Sequence, residues 1–230
     1  ETVEDLREAL PGGQVSTDLS KVVSGAGLIV LATPVEAMGE MARRLKALPV
    51  FAEGEGVVVT DVGSVKESVV MELGRIFEGT GIRFVGSHPM AGSEEAGFSA
   101  ARRGLYQGAP CVLTPVEGDA EEDVELVAGF WRELGCRIHV MSPVDHDRRI
   151  ALISHLPHLV ASLIVEASLG LDAEAAGVAG SGFRDTTRVA AGDPDLWMGI
   201  FRQNREAVVE ALEQFHSKTS EVLAFLKEMD

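Results

Sequence analysis

The chain has 230 residues, 46% of them hydrophobic, and a formal net charge of −16 at pH 7. That charge argues against nucleic acid as a partner, because phosphates would be repelled, while the apolar content suffices for one large core or two modest ones. Binding of an anionic metabolite would then need positive charge concentrated locally, so an arginine placed in a cleft carries added meaning.

A short helical stretch marked by Val3, Leu6 and Leu10 opens the chain, and Pro11-Gly12-Gly13 reads as a turn. Residues 28–33 are an apolar run that stops at Pro34, as expected of a strand buried on both faces. Residues 57–61 repeat that pattern and end on an acid, and 83–86, 111–114 and 137–141 are further predicted strands. Helices are predicted between them at 35–48, 64–77 and 120–134. The acidic run 117–125 is expected to be an exposed loop and helix start, where acids suit the macrodipole. This alternation predicts a mostly parallel sheet with helices on its faces, a partial Rossmann-like domain over 1–141 that lacks the glycine-rich first βα unit. Ligands in such sheets bind at the carboxyl ends of strands. Those ends supply the expected cofactor contacts Ala32, Thr33, Pro34, Asp61, Gly63, Ser64 and Pro89.

After Met141 no strand is predicted, and 142–230 reads as a helical domain. Ser142-Pro143 with Asp145 is a helix start, and the helix is expected to stop at Gly170 with its middle, 150–165, buried on nearly every side. A last helix over 197–229 spaces Phe201, Val208, Phe215 and Val222 seven residues apart. That stripe predicts a homodimer, with packing inside its own subunit as the equal alternative. Cys111 and Cys136 lie in apolar stretches and are expected to be reduced core residues. No apolar run is expected to reach the ~18 residues that cross a bilayer, and no signal peptide is read. A cytoplasmic protein without a membrane partner is therefore expected.

Three phrases carry chemistry: Gly86-Ser-His-Pro-Met-Ala-Gly92, Ser154-His-Leu-Pro-His158 and Gly182-Phe-Arg-Asp-Thr-Thr-Arg188. Imidazoles exchange protons near neutral pH and a guanidinium grips carboxylates bidentately. Gly86 and Gly92 beside His88 are read as allowing close ligand approach. His155 and His158, three apart on one helix face, are open to ligand or structural roles. Pro157 between them and the lack of a nearby Cys or third His argue against a metal. Arg188 could pair with Asp185 or hold a ligand, and Trp197 could be core or site. No G-x-G-x-x-G occurs between a strand and a helix, so a strand–turn–helix–strand of about thirty residues is expected ahead of Glu1.

With Leu31-Ala-Thr-Pro-Val35 and Asp61-Val-Gly-Ser-Val-Lys66, these phrases resemble, in order, the prephenate dehydrogenases, a group that includes arogenate dehydrogenases. The resemblance implies an N-terminal Rossmann domain, a helical dimerisation domain and NAD-dependent oxidative decarboxylation of prephenate in tyrosine biosynthesis, with NADP as the alternative cofactor. It implies that His88 is the catalytic hydrogen-bond acceptor, with Ser64 beside it. Arg188 would hold a substrate carboxylate, Glu94 and Asp185 would join it in an ionic network, and Trp197, His158 and His155 would belong to the substrate site. The alternatives are another Rossmann dehydrogenase with a helical second domain, such as a β-hydroxyacid dehydrogenase or pyrroline carboxylate reductase, or a non-catalytic dimer that binds a metabolite.

Overall fold

The computed structural model describes residues 3–9, 12–13, 15–52, 56–92 and 101–229. Glu94 and Leu10 lie outside them. The chain divides into two compact units, 1–146 and 147–230. The division falls a few residues beyond Met141, inside the first turns of the helix that begins at Pro143.

The first unit opens with α1 (Val3–Ala9) and α2 (Leu19–Val23), the latter capped by the Asp18 carboxylate on the Ser20 N–H. Then follow β1 (Leu28–Leu31), α3 (Val35–Lys46), α4 (Pro49–Ala52), β2 (Val57–Asp61), α5 (Glu67–Phe77), β3 (Ile82–Phe84) and β4 (Gly86–Pro89). β5 (Pro110–Thr114), α6 (Glu121–Glu133) and β6 (Arg137–Val140) complete it. β1, β2 and β3 form a parallel sheet. Side chains of β2 alternate between its faces: Val57 and Val59 pack with Met38, Leu45, Leu73 and Phe77, while Val58 packs with Leu113, Val127 and Trp131. Burial on both faces is why its first three residues are all valine.

The sheet departs from the parallel expectation at one place. The phrase around His88 is a strand, not a loop after one. Val85 donates its N–H to the Val59 carbonyl at 3.0 Å and carries the chain out of the first sheet. β4 then pairs antiparallel with β5, His88 opposite Val112, and β5 is parallel to β6. Gly86 also has a different reason from the one read in the sequence. A Cβ there would fall 2.5 Å from Thr114 Oγ1 and 2.9 Å from Val70 Cγ2, so the protein's own packing requires glycine. Around Gly92 no described residue comes within 4 Å of the place a Cβ would take.

Of three further residues in this unit, Asp123 departs from the sequence reading and the two cysteines agree with it. Within the acidic run, Asp123 is buried and its Oδ2 accepts from Arg83 Nε at 2.5 Å. Cys111 and Cys136 are buried free thiols, and burial pushes the Cys111 thiol up to about 12, so it is inert packing.

The second unit is helical throughout its described residues. α7 (Pro143–Ile150), a π-helical turn (Ala151–His155) and α8 (Leu156–Leu171) run as one 29-residue helix. The wide turn sits directly before Pro157, which has no N–H and whose ring would clash with the Ile153 carbonyl in a regular α-helix. The helix passes Gly170 and ends at Asp172, whose side chain caps the 3-10 segment Ala173–Val178 through the Glu174 N–H. Next come α9 (Ser181–Thr187), a 3-10 turn (Arg188–Ala191), α10 (Pro194–Gln203) and α11 (Arg205–Glu228).

Four expectations change here. The helix predicted over 197–229 is two helices broken at Asn204, whose backbone leaves the helical region and whose buried amide donates to the Asp147 carbonyl at 2.8 Å. The long helix is not buried on nearly every side; Leu152, Ile153 and Leu163 are exposed. By length and composition that helix is also apolar enough to cross a bilayer, contrary to the sequence reading, and only 28% of its most apolar stretch is buried within the chain. The heptad stripe divides as well. Val208 is buried with Ala151 and Ala211, Phe201 packs against them, and Phe215 and Val222 are exposed.

Candidate active site

In the first unit the expected residues gather around one carboxylate. Asp61 ends β2 and is fully buried. Its Oδ2 accepts from the Gly63 N–H at 2.9 Å and meets Lys66 Nζ, and its Oδ1 accepts from the Ser87 N–H at 3.0 Å. Gly63 precedes Ser64 and Ser87 precedes His88, so a single side chain fixes the turn carrying one and the strand carrying the other. Ser87 is held further by its hydroxyl on the Asp61 carbonyl at 2.6 Å and by Trp131 Nε1, which donates to that hydroxyl at 2.9 Å. Asp61, expected to meet the cofactor, has both oxygens engaged within the chain and organises the strand end.

His88 is 8% exposed, and its Nδ1 lies 2.9 Å from Nε2 of His146, a fully buried residue of α7. Facing ring nitrogens at that distance need one donor and one acceptor, so the pair carries at most one positive charge. The sequence reading missed His146, which sits in the polar run Asp145-His146-Asp147. It also passed over Lys66 as a site residue, although the motif containing it was noted.

Ala32 and Pro34 are exposed at the carboxyl end of β1, Thr33 and Ser64 are partly buried, and Pro89 is buried at the end of β4. Among the described residues the buried Thr33 hydroxyl has no hydrogen-bond partner, and Pro34 leaves the N-terminus of α3 without a side-chain cap. A dinucleotide fits these residues: a bound polar group would satisfy that orphaned hydroxyl, and α3 presents its N–H groups beside it.

In the second unit His158 is buried and stacked on Trp197, ring centroids 3.6 Å apart and planes 11° from parallel. Gly192 allows this stacking, because a Cβ there would lie 2.5 Å from Trp197 Nε1. Burial lowers the His158 pKa against a smaller opposing effect from the Val189 main chain, so its ring stays neutral around pH 7. Its Nδ1 is buried, with no hydrogen-bond partner among the described residues. His155 is fully buried, and its Nδ1 accepts from Asn204 Nδ2 at 3.1 Å, which builds it into the interior of the unit. Asp185 lies exposed on α9, and Arg188, also exposed, opens the turn that follows. Among the described residues no three metal-ligating side chains converge.

A parallel βα layer with polar groups at its strand ends and a strand-borne histidine, followed by a helical unit, defines the class of Rossmann-type nucleotide-binding proteins. The sequence matches "Prephenate dehydrogenase, nucleotide-binding domain" over residues 11–140 and "Prephenate dehydrogenase, dimerization domain" over 142–230. The chain belongs to the prephenate dehydrogenase family. It is 37% identical to the cyclohexadienyl dehydrogenase of Zymomonas mobilis, over 94% of this chain and 73% of that protein. Prephenate dehydrogenase from Aquifex aeolicus, in complex with hydroxyphenyl propionate and NAD+, superposes with a TM-score of 0.84 at 32% identity, over 99% of this chain and 81% of that one. The arogenate dehydrogenase of Synechocystis gives a TM-score of 0.76 at 30% identity, over 92% of this chain and 75% of that one. The chain spans 60–73% of the length of the first three curated relatives it matches.

Proposed function

We propose that this chain catalyses oxidative decarboxylation of prephenate to 4-hydroxyphenylpyruvate, the tyrosine-forming reaction, with NAD as oxidant. The observation that carries this reading is the Asp61 carboxylate, which holds the Ser64 turn and the His88 strand together. NAD, when bound, accepts the hydride that leaves C4 of the ring; Ala32, Thr33, Pro34, Gly63 and Ser64 are the residues that would hold it. His88 Nε2 takes the hydroxyl proton as that carbon becomes a carbonyl. Loss of the ring carboxylate as CO2 returns its electron pair to the ring, and His88 gives the proton back to the phenolate oxygen. Aromatisation supplies the driving force, so the protein's tasks are orientation and one proton held and returned.

As the family resemblance implies, we assign the carboxylate grip to Arg188 and shares in its ionic network to Asp185 and Glu94; His158, stacked on Trp197 and with no hydrogen-bond partner for Nδ1 among the described residues, is assigned to the substrate. Arogenate, with an amino group in place of the side-chain keto group, is the second reading, favoured by the likeness to the Synechocystis enzyme. Full-length protein assayed with prephenate and arogenate, each with NAD and NADP, tests both. Prephenate with NAD is expected to give the largest rise in reduced-cofactor absorbance, and no rise with prephenate overturns the proposal. In the same assay Arg188→Gln is expected to raise KM about 10–100-fold, the loss of a charge-assisted contact of about 1.5–3 kcal/mol. An unchanged KM would remove Arg188 from the substrate site.

A cytoplasmic homodimer is the assembly we propose. In its support, Phe215, Val222, Leu223, Phe225 and Leu226 leave exposed apolar side chains on α11, and Leu152 and Ile153 leave others on the long helix. Sedimentation of full-length protein as a dimer without detergent is expected. A monomer, or dependence on detergent, would count against the dimer and would reopen membrane association of the long helix.

A further inference from the structure

We propose that His146 is a positioning residue for His88: its Nε2 accepts the Nδ1–H of His88, which leaves Nε2 of His88 as the acceptor that faces the reacting hydroxyl. The proposal rests on the oxidation assigned above and concerns which nitrogen of His88 carries the proton.

Both rings are held by the same three strands. His88 lies on β4, opposite Val112 of β5. β5 also anchors the far end of β6, where the Met141 N–H donates to the Leu113 carbonyl at 3.1 Å. The next residue, Ser142, starts α7. Its Oγ accepts from the Asp145 N–H at 3.1 Å and donates to Asp145 Oδ2 at 2.8 Å, a reciprocal cap. His146 N–H then donates to the Ser142 carbonyl at 2.9 Å. The imidazole of His146 is thereby set at a fixed place beside β4, edge-on to His88 with ring centroids 5.1 Å apart. Burial of His146 at 0% exposure removes competing water from the contact.

The two tautomers of the pair differ in what they offer a substrate. If His146 donated, His88 would present Nε2–H, a donor that takes no proton. If His88 donates, its Nε2 carries a lone pair. When the hydroxyl proton arrives there, the positive charge is shared along Nδ1–H···Nε2 with His146. In Ser-His-Asp enzymes an aspartate on the far nitrogen orients histidine in the same way; here a neutral ring does so without adding a second negative charge.

Leucine at 146 fills similar space and accepts nothing, whereas glutamine keeps an acceptor oxygen. In full-length protein turning over prephenate with NAD, His146→Leu is expected to lower kcat about 10–100-fold with KM within about threefold, the loss of one hydrogen bond to a charged group. His146→Gln is expected to recover most of that loss. Equal loss in both variants, or a change confined to KM, overturns the assignment. Long-range proton–nitrogen correlation spectra of unliganded wild-type protein give a second readout, with His88 expected to be protonated on Nδ1 and bare on Nε2. The opposite tautomer sinks the proposal whatever the substrate proves to be, and this measurement needs no turnover. Should His146→Leu fail to fold, the spectra of the wild type and of His146→Gln decide.

Discussion

His88→Asn is expected to lower kcat with prephenate by about 10²–10⁴-fold, the usual range for removing a general base, while KM moves by less than about threefold. Asparagine places an amide near the position of Nδ1 and preserves a polar partner for His146, so the strand should keep its place. What it removes is a group that retains a proton between hydride loss and rearomatisation. Steady-state kinetics alongside thermal unfolding checks this. A fall in kcat accompanied by an equal loss of stability or of binding would show that His88 is a structural residue of β4.

Lys66→Met is expected to cost about 3–5 kcal/mol of stability, the range for breaking a buried ion pair by removing one partner. Lys66 and Asp61 are both fully buried, so the methionine variant leaves a carboxylate short of its countercharge with no water to replace it. Replacing both residues with apolar ones should not restore the loss. The Gly63 and Ser87 N–H groups also depend on Asp61, and orphaned donors bring their own penalty. Urea denaturation measures the change, and for a chain of this size it corresponds to a fall in Tm on the order of 10 °C. A loss below about 1 kcal/mol would mean that solvent reaches the pair. Because the same carboxylate holds the turn of Ser64 and the strand of His88, kcat should fall in this variant too.

Much of the fold was legible because β1 and β2 are short apolar runs stopped by Pro34 and Asp61, and their helices carry apolar faces at helical spacing. β4 was not legible. Gly-Ser-His-Pro has the composition of a loop, and it becomes a strand only because β5 offers antiparallel hydrogen bonds along it. Asn204 reads as a tolerable helix residue until its amide is needed at the Asp147 carbonyl and at His155, which breaks the helix. Asp123 looked like one more solvated acid, yet it is buried against Arg83.

The chemistry of His88 and Ser64 in the first unit, and of His158 in the second, could be read from their phrases. Their partners could not. Glu94 falls outside the described residues, and no local signal marked His146, since a histidine between two aspartates near a helix start is what a solvated turn also looks like.

By itself the sequence determined the alternation of strands and helices, the change to helices after Met141, and the short phrases that carry ionisable groups. These are properties of neighbouring residues, governed by side-chain period and backbone preference along a few turns or strand lengths. Only the tertiary structure decided that His88 meets His146, that Asp61 reaches Ser87, and that Trp197 lies flat on His158. Those contacts join residues far apart in the chain, and they form when strand register and helix packing bring separate local choices to one place, which no periodicity along the chain records.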